Sequence, residues 1–139
     1  MTIVPEEAET RIATLKRPRP DLLEIHYKAG HVFVTEDISE VQEKRRSMMG
    51  TRPYATLTII PKGMDFDLDS MRVDHGGGDR TQGQIIATAI VAHDKTLERL
   101  THVYMKYFPH MQHVLITSNE ADARAWVEEQ LKGATGTGS

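Results

Sequence analysis

The sequence predicts an α/β domain: a mixed β-sheet of about five strands, opening with an antiparallel hairpin, continuing with parallel strands and covered by three helices. Three observations carry this. Apolar and polar residues alternate over 11–16 and 22–28, the period of strands with one face in water. From Thr35 the period lengthens, and Ile38, Val41, Arg45 and Met48 recur at helical spacing. Beyond them stand short runs of β-branched and apolar residues, "ATLTII" at 55–60, "IIATAIVA" at 85–92 and "HVLIT" at 113–117. Such runs read as strands covered on both faces, and strands alternating with helices require right-handed crossovers and a parallel sheet.

The elements follow in order. Residues 1–9 form an N-terminal arm, and the domain proper runs over 10–132. "RIATLK" is a first strand, and "RPRPD" supplies the turn. In "LLEIHYK", Leu23, Ile25 and Tyr27 share one face and Leu22, Glu24 and His26 the other. Ala29-Gly30 breaks this strand before a short extension, "HVFV". The first helix is capped by Thr35 or Asp37 and stopped by Gly50. After the strand at 55–60, Pro61-Lys62-Gly63 ends the order, and 64–84 is polar and glycine-rich, with one helical turn at most, at 67–72. Eight nearly unbroken apolar residues at 85–92 form a buried strand, chosen over a helix because the next helical pattern follows at once. Asp94 caps that second helix, on which Leu97, Leu100, Tyr104, Tyr107 and Phe108 share a face until Pro109 stops it. After the last strand Asn119 caps a closing helix, with Ala123, Trp126, Val127 and Leu131 inward and Gly133 beyond its end. The final stretch, 133–139, reads as a disordered tail.

With 139 residues, the chain can bury a core without staples. A formal charge of −3 argues against a nucleic-acid partner. The basic clusters Lys16-Arg17-Pro18-Arg19 and Lys44-Arg45-Arg46 read as solvated faces. The absence of cysteine rules out disulfides, thiol nucleophiles and Cys-based zinc sites. No stretch is long and apolar enough to insert in a membrane, and "MTIVPEEAETR" is acidic, so a cytoplasmic location is expected.

Residues 86–131 resemble the C-terminal half of small bacterial STAS-like proteins, relatives of anti-anti-sigma factors. The resemblance rests on Ala87 and Ala89 in an apolar strand, Arg99, Tyr104 and Phe108 on the next helix, Pro109, and then Ala123 with Trp126-Val127. "HVFVTEDISEVQEKRRSMMGTRPYATLTII" extends the likeness back through a strand, a Thr-led helix and a strand. It implies a STAS-like domain used in protein–protein regulation or ligand sensing, with no established catalytic residues. In anti-anti-sigma factors the switch is a phosphorylatable serine after an aspartate, and Asp69-Ser70 stands at about that place. The pattern then departs, to Met71-Arg72. Three carboxylates, Asp65, Asp67 and Asp69, oppose a phosphate there, and a turn or cap is the competing reading of Ser70.

"DHGGGDR", 74–80, contains the oxyanion-hole string of lipases, but none of the five serines sits in a G-x-S-x-G elbow. Neither a Walker loop nor a dinucleotide fingerprint is present around Gly76–Gly78, and Arg80 alone supplies positive charge. The span reads as a mobile connection. Of the seven histidines, His110 and His113 form a close pair without a second pair of ligands. A metal site from His75, Asp79, His93 and Asp94 would have to assemble at one end of the sheet, and no metal or cofactor is expected. In open α/β sheets ligands lie outside the carboxyl ends of the strands. Lys62, His93, Asp94 and Ser118 occupy those ends and, with Arg80, are the candidate anion or ligand residues. The expected function is a non-catalytic regulatory or protein-interaction domain with an unidentified partner, a homodimer being one form of it. The alternative is a small-molecule or anion sensor.

Overall fold

An alternating strand needs cover on one face only, whereas an unbroken apolar strand needs it on both, and the sheet is arranged by that difference. The computed structural model describes residues 6–30, 32–50, 53–62, 65–66, 85–93, 95, 98–99, 102, 106 and 114–135. Its strands are β1 (Glu6–Glu9), β2 (Ala13–Arg19), β3 (Leu22–Tyr27), β4 (Val32–Phe33), β5 (Tyr54–Ile60), β6 (Asp65–Phe66), β7 (Ile85–Ala92) and β8 (Val114–Thr117). Helix α1 spans Thr35–Met49 and α2 spans Glu120–Thr135. Six strands form the main sheet in the order β1-β2-β3-β5-β7-β8, antiparallel through β3 and parallel from β3 onwards.

The alternating hairpin β2–β3 lies towards one edge, and the apolar strands β5 and β7 lie in the centre. Leu15, Leu23, Ile25, Ile60 and Ile90 face α1, meeting its Ile38, Val41, Met48 and Met49. Leu22, Leu57, Ile59, Ala89 and Val91 face the other way, onto Ala123, Val127 and Leu131 of α2. The sheet is therefore the middle of three layers, and β3 divides its residues between the two faces as the alternation predicted.

Several boundaries depart from the sequence reading. Glu6–Glu9, expected in an arm, pair with β2 as an edge strand, with Ala8 half-buried on the α1 side. The main sheet thus has six strands rather than about five. "RPR" belongs to β2 and not to the turn: the pairing with β3 slips between Lys16 and Arg19, where Pro18, which has no N–H to give, is tolerated. Val32–Phe33 do not extend β3 but pair in parallel with β6 as a separate two-stranded sheet. Neither Thr35 nor Asp37 caps α1; the N-cap is Val34, whose carbonyl accepts the Ile38 N–H, while Glu36 and Asp37 favour the positive helix end. Gly133 is inside α2, so the expected tail begins too early. Two helices are described in full rather than three; Lys95, Glu98, Arg99, His102 and Lys106 are helical, within the stretch read as the second helix. The possible turn at 67–72 lies outside the described residues. Among the described residues, no helix is long and apolar enough to cross a membrane.

Two glycines serve opposite ends of the same rule. Gly50 takes φ 64° as it terminates α1, a backbone that side chains resist, whereas Gly133 is helical with open space around a would-be Cβ. Gly50→Ala should therefore destabilise the fold by about 1–3 kcal/mol. Gly133→Ala should stabilise it by about 0.5 kcal/mol, less than mid-helix because the end frays. Urea unfolding of the two variants checks both signs.

Candidate functional site

The parallel strands finish side by side. Ile60 pairs with Ala92, Val91 pairs with Thr117, and the His93 N–H donates to the Ile60 carbonyl at 3.2 Å. Lys62, His93 and Ser118 therefore follow three neighbouring strands at one edge of the sheet, and all three are exposed. These three of the predicted ligand residues thus stand after adjacent strands. Arg80, Asp94 and the candidate switch Ser70 lie outside the described residues, as do Gly76–Gly78 and the His75 and Asp79 of the metal alternative. Asn119 caps α2 as predicted, its Oδ1 accepting the Asp122 N–H at 3.1 Å, and Thr117 Oγ1 accepts the Asn119 N–H at 3.1 Å.

A second group of polar side chains escaped the sequence reading. Glu24 sits on the α2 face of β3 with its side chain only 12% exposed. Its Oε2 accepts Arg124 Nη1 at 2.9 Å and its Oε1 accepts Nη2 at 3.3 Å, a forked arrangement. His26 Nε2 lies 2.8 Å from Glu24 Oε1 and is the donor, since a carboxylate can only accept. Arg124 Nε also donates to Glu120 Oε2 at 2.9 Å, one turn back along α2. One turn further on, Glu128 meets Arg19 Nη2 at 2.9 Å, and Arg19 Nε donates to Asp21 Oδ1 at 2.8 Å. A shallow open depression lies here, lined by Arg19, Pro20, Asp21, Glu128, Leu131 and Lys132.

These pairs work as fasteners. Glu120, Arg124 and Glu128 are spaced by four residues along one flank of α2, and that flank overlies β3. The spacing was visible in the sequence; its partners were not, because Glu24 lies a hundred residues from Arg124. Burial of Glu24 works against its charge, but the hydrogen bonds from Arg124 and His26, with their charges, outweigh it and hold the carboxyl below its ordinary value. On the α1 side, buried Arg45 donates to the Tyr54 hydroxyl and to Gln42 Oε1, and Arg17 donates to the Met48 carbonyl in the last turn of α1. Among the described residues, no three His, Asp or Glu side chains are grouped to hold a metal ion.

With this geometry in place, the likeness to solved structures is specific as to fold. The chain resembles an uncharacterized protein from the DUF3478 family with a SpoIIAA-like fold from Shewanella loihica PV-4. The two are 17% identical, superpose with a TM-score of 0.57, and match over 91% of this chain and 98% of that one. No family model matches the sequence, and no curated protein does. The protein therefore has the SpoIIAA-like, or STAS-like, α/β fold that the sequence resemblance implied.

The Glu24 pairs give a pH dependence of definite sign. A carboxyl held below its ordinary value of 4.5 contributes stability that is complete above that value and is lost as the pH falls through the lower folded value. Glu24→Gln should cost about 1 kcal/mol at neutral pH and flatten the acid limb of the stability profile. Urea titrations of wild type and variant between neutral and acidic pH measure this; parallel acid limbs would contradict it.

Proposed function

We propose that this domain is a non-catalytic regulatory module that acts by binding another protein. The observation that supports the reading is the STAS-like fold, taken with the resemblance of the sequence to relatives of anti-anti-sigma factors, which implies regulation by protein contact. A surface suited to the task lies beside α2. That helix covers the apolar rows of β5 and β7, while the same face of β1 and β2 presents Glu7, Glu9, Thr14 and Lys16 to solvent or half-exposed. In register, Glu7 pairs across to Lys16 and Glu9 to Thr14, so that exposed opposite charges alternate beside the covered Glu24–Arg124 pair. Alternating charge favours register and partner choice over bulk affinity.

Affinity capture from the source cells tests this with a charge-reversed variant, Glu7→Lys with Lys16→Glu, whose internal pair is conserved. A stoichiometric protein retained by wild type and lost by the variant, at unchanged melting temperature, supports the reading. Equal capture by both would move the surface elsewhere. Light scattering on a sizing column tests the homodimer form: twice the chain mass of 15.7 kDa is expected, and a monomer at all concentrations sinks it.

A second reading, a small-molecule or anion sensor, is favoured by one observation: Lys62, His93 and Ser118 follow adjacent strands at the carboxyl edge. A ligand held there would raise the melting temperature by mass action.

A further inference from the structure

We infer that the carboxyl ends of β7 and β8 form a binding crevice for a phosphate-type oxyanion, with Lys62, His93 and Ser118 as its donors; this rests on the sensor reading and gives it a place and a ligand class. The first support is topological. The β3–α1–β5 crossover lies on the face where α1 packs against Leu23 and Ile25. The step from β7 to β8 runs in the same direction across the sheet, so the right-handed rule assigns its helical residues, Lys95, Glu98, Arg99, His102 and Lys106, to that face as well. The chain leaving β8 goes the other way, since Ala123, Val127 and Leu131 of α2 pack on Ala87, Ala89 and Val91. Connections leaving two adjacent parallel strands for opposite faces open a crevice between their carboxyl ends, the usual ligand position in open α/β sheets.

The second support is chemical. The charged groups along the α2 flank are engaged with one another: Glu24 with Arg124 and His26, Glu120 with Arg124, Arg19 with Asp21 and Glu128. Lys62, His93 and Ser118 are exposed, and among the described residues their side chains take part in no hydrogen bond or ion pair. An ammonium, an imidazole and a hydroxyl can all donate. Neighbouring strands are about 4.8 Å apart, so a tetrahedral oxyanion can meet side chains from successive strand ends. Two carboxylates stand at the start of α2: Glu120 is tied to Arg124, and Asp122 is exposed. Their presence favours a small anion seated towards Lys62 and His93 over a long polyanion.

The test is a titration of the isotope-labelled full chain, followed by amide NMR shifts, with inorganic phosphate against chloride at matched ionic strength. A parallel arm uses vesicles of phosphatidylcholine with and without phosphatidic acid, whose headgroup offers the same phosphate chemistry. Saturable shifts centred on Lys62, His93 and Ser118 in either arm are expected, and the arm that responds identifies a soluble ligand or a lipid headgroup. Lys62→Ala with His93→Ala should weaken that binding by about tenfold or more, while Lys132→Ala, on the far depression, should leave it unchanged. No saturable shift in either arm, shifts centred on Arg19 and Lys132, or binding indifferent to the double variant would each overturn the crevice. A thermal-shift screen separates this from the broader reading: an uncharged ligand that raises the melting temperature overturns the oxyanion but leaves a sensor, and a flat screen overturns both.

Discussion

Burial of β5 and β7 on both faces is the constraint from which the rest of the architecture follows. Leu57, Ile59, Ala89 and Val91 point one way, and Ile60, Ile90 and Ala92 the other, and neither set can be left in water. One helix cannot cover two faces, so α1 and α2 must lie on opposite sides. Small residues make the second contact close: Ala55, Ala87 and Ala89 form a shallow bed on which Ala123 and Val127 can sit. On the opposite face of the same strands the buried threonines Thr56 and Thr88 are admitted because they are in register and share a hydrogen bond, hydroxyl to hydroxyl at 3.0 Å.

Apolar packing alone would let α2 slide or turn on that bed. The charged flank removes the freedom, since Arg124 can reach both oxygens of Glu24 from one position along β3, and Glu128 can reach Arg19 from the corresponding one. Such partly exposed pairs add modest stability, and their larger effect is to specify alignment. The same economy distinguishes the two ends of the molecule. Polar groups over β3 are committed to holding a helix, whereas the side chains of Lys62, His93 and Ser118 are not committed within the described residues.

What was legible in the sequence follows from the range of each signal. Periodicity acts over a few residues, so β3, β7, the inward face of α1 and the Asn119 cap are legible directly, and of the inward set Ala123, Val127 and Leu131 are buried while Trp126 packs, partly buried, against them. Strand ends are legible too, and the sequence places Lys62, His93 and Ser118 just beyond them. Edge pairing was not legible: nothing local in "EEAE" marks a strand, and only the partner β2 makes Glu6–Glu9 one. Phe33 and Phe66 are likewise paired by position across more than thirty residues, which no spacing rule anticipates. The Glu24–Arg124 pair failed for the same reason. Each half is ordinary alone, a carboxylate on a strand and an arginine on a helix.

The bulge in β2 has a consequence for the basic run "KRPR". Strict alternation would send Lys16 and Pro18 to one side of the sheet and Arg17 and Arg19 to the other. The extra residue resets the parity between Lys16 and Arg19, so that Arg17 keeps to the α1 side and reaches the Met48 carbonyl while Arg19, opposite Leu22, reaches Glu128 of α2. A string of cations that looks like undifferentiated surface charge is thereby addressed to both outer layers. One inserted residue lets a single strand rivet the two helices to the sheet between them.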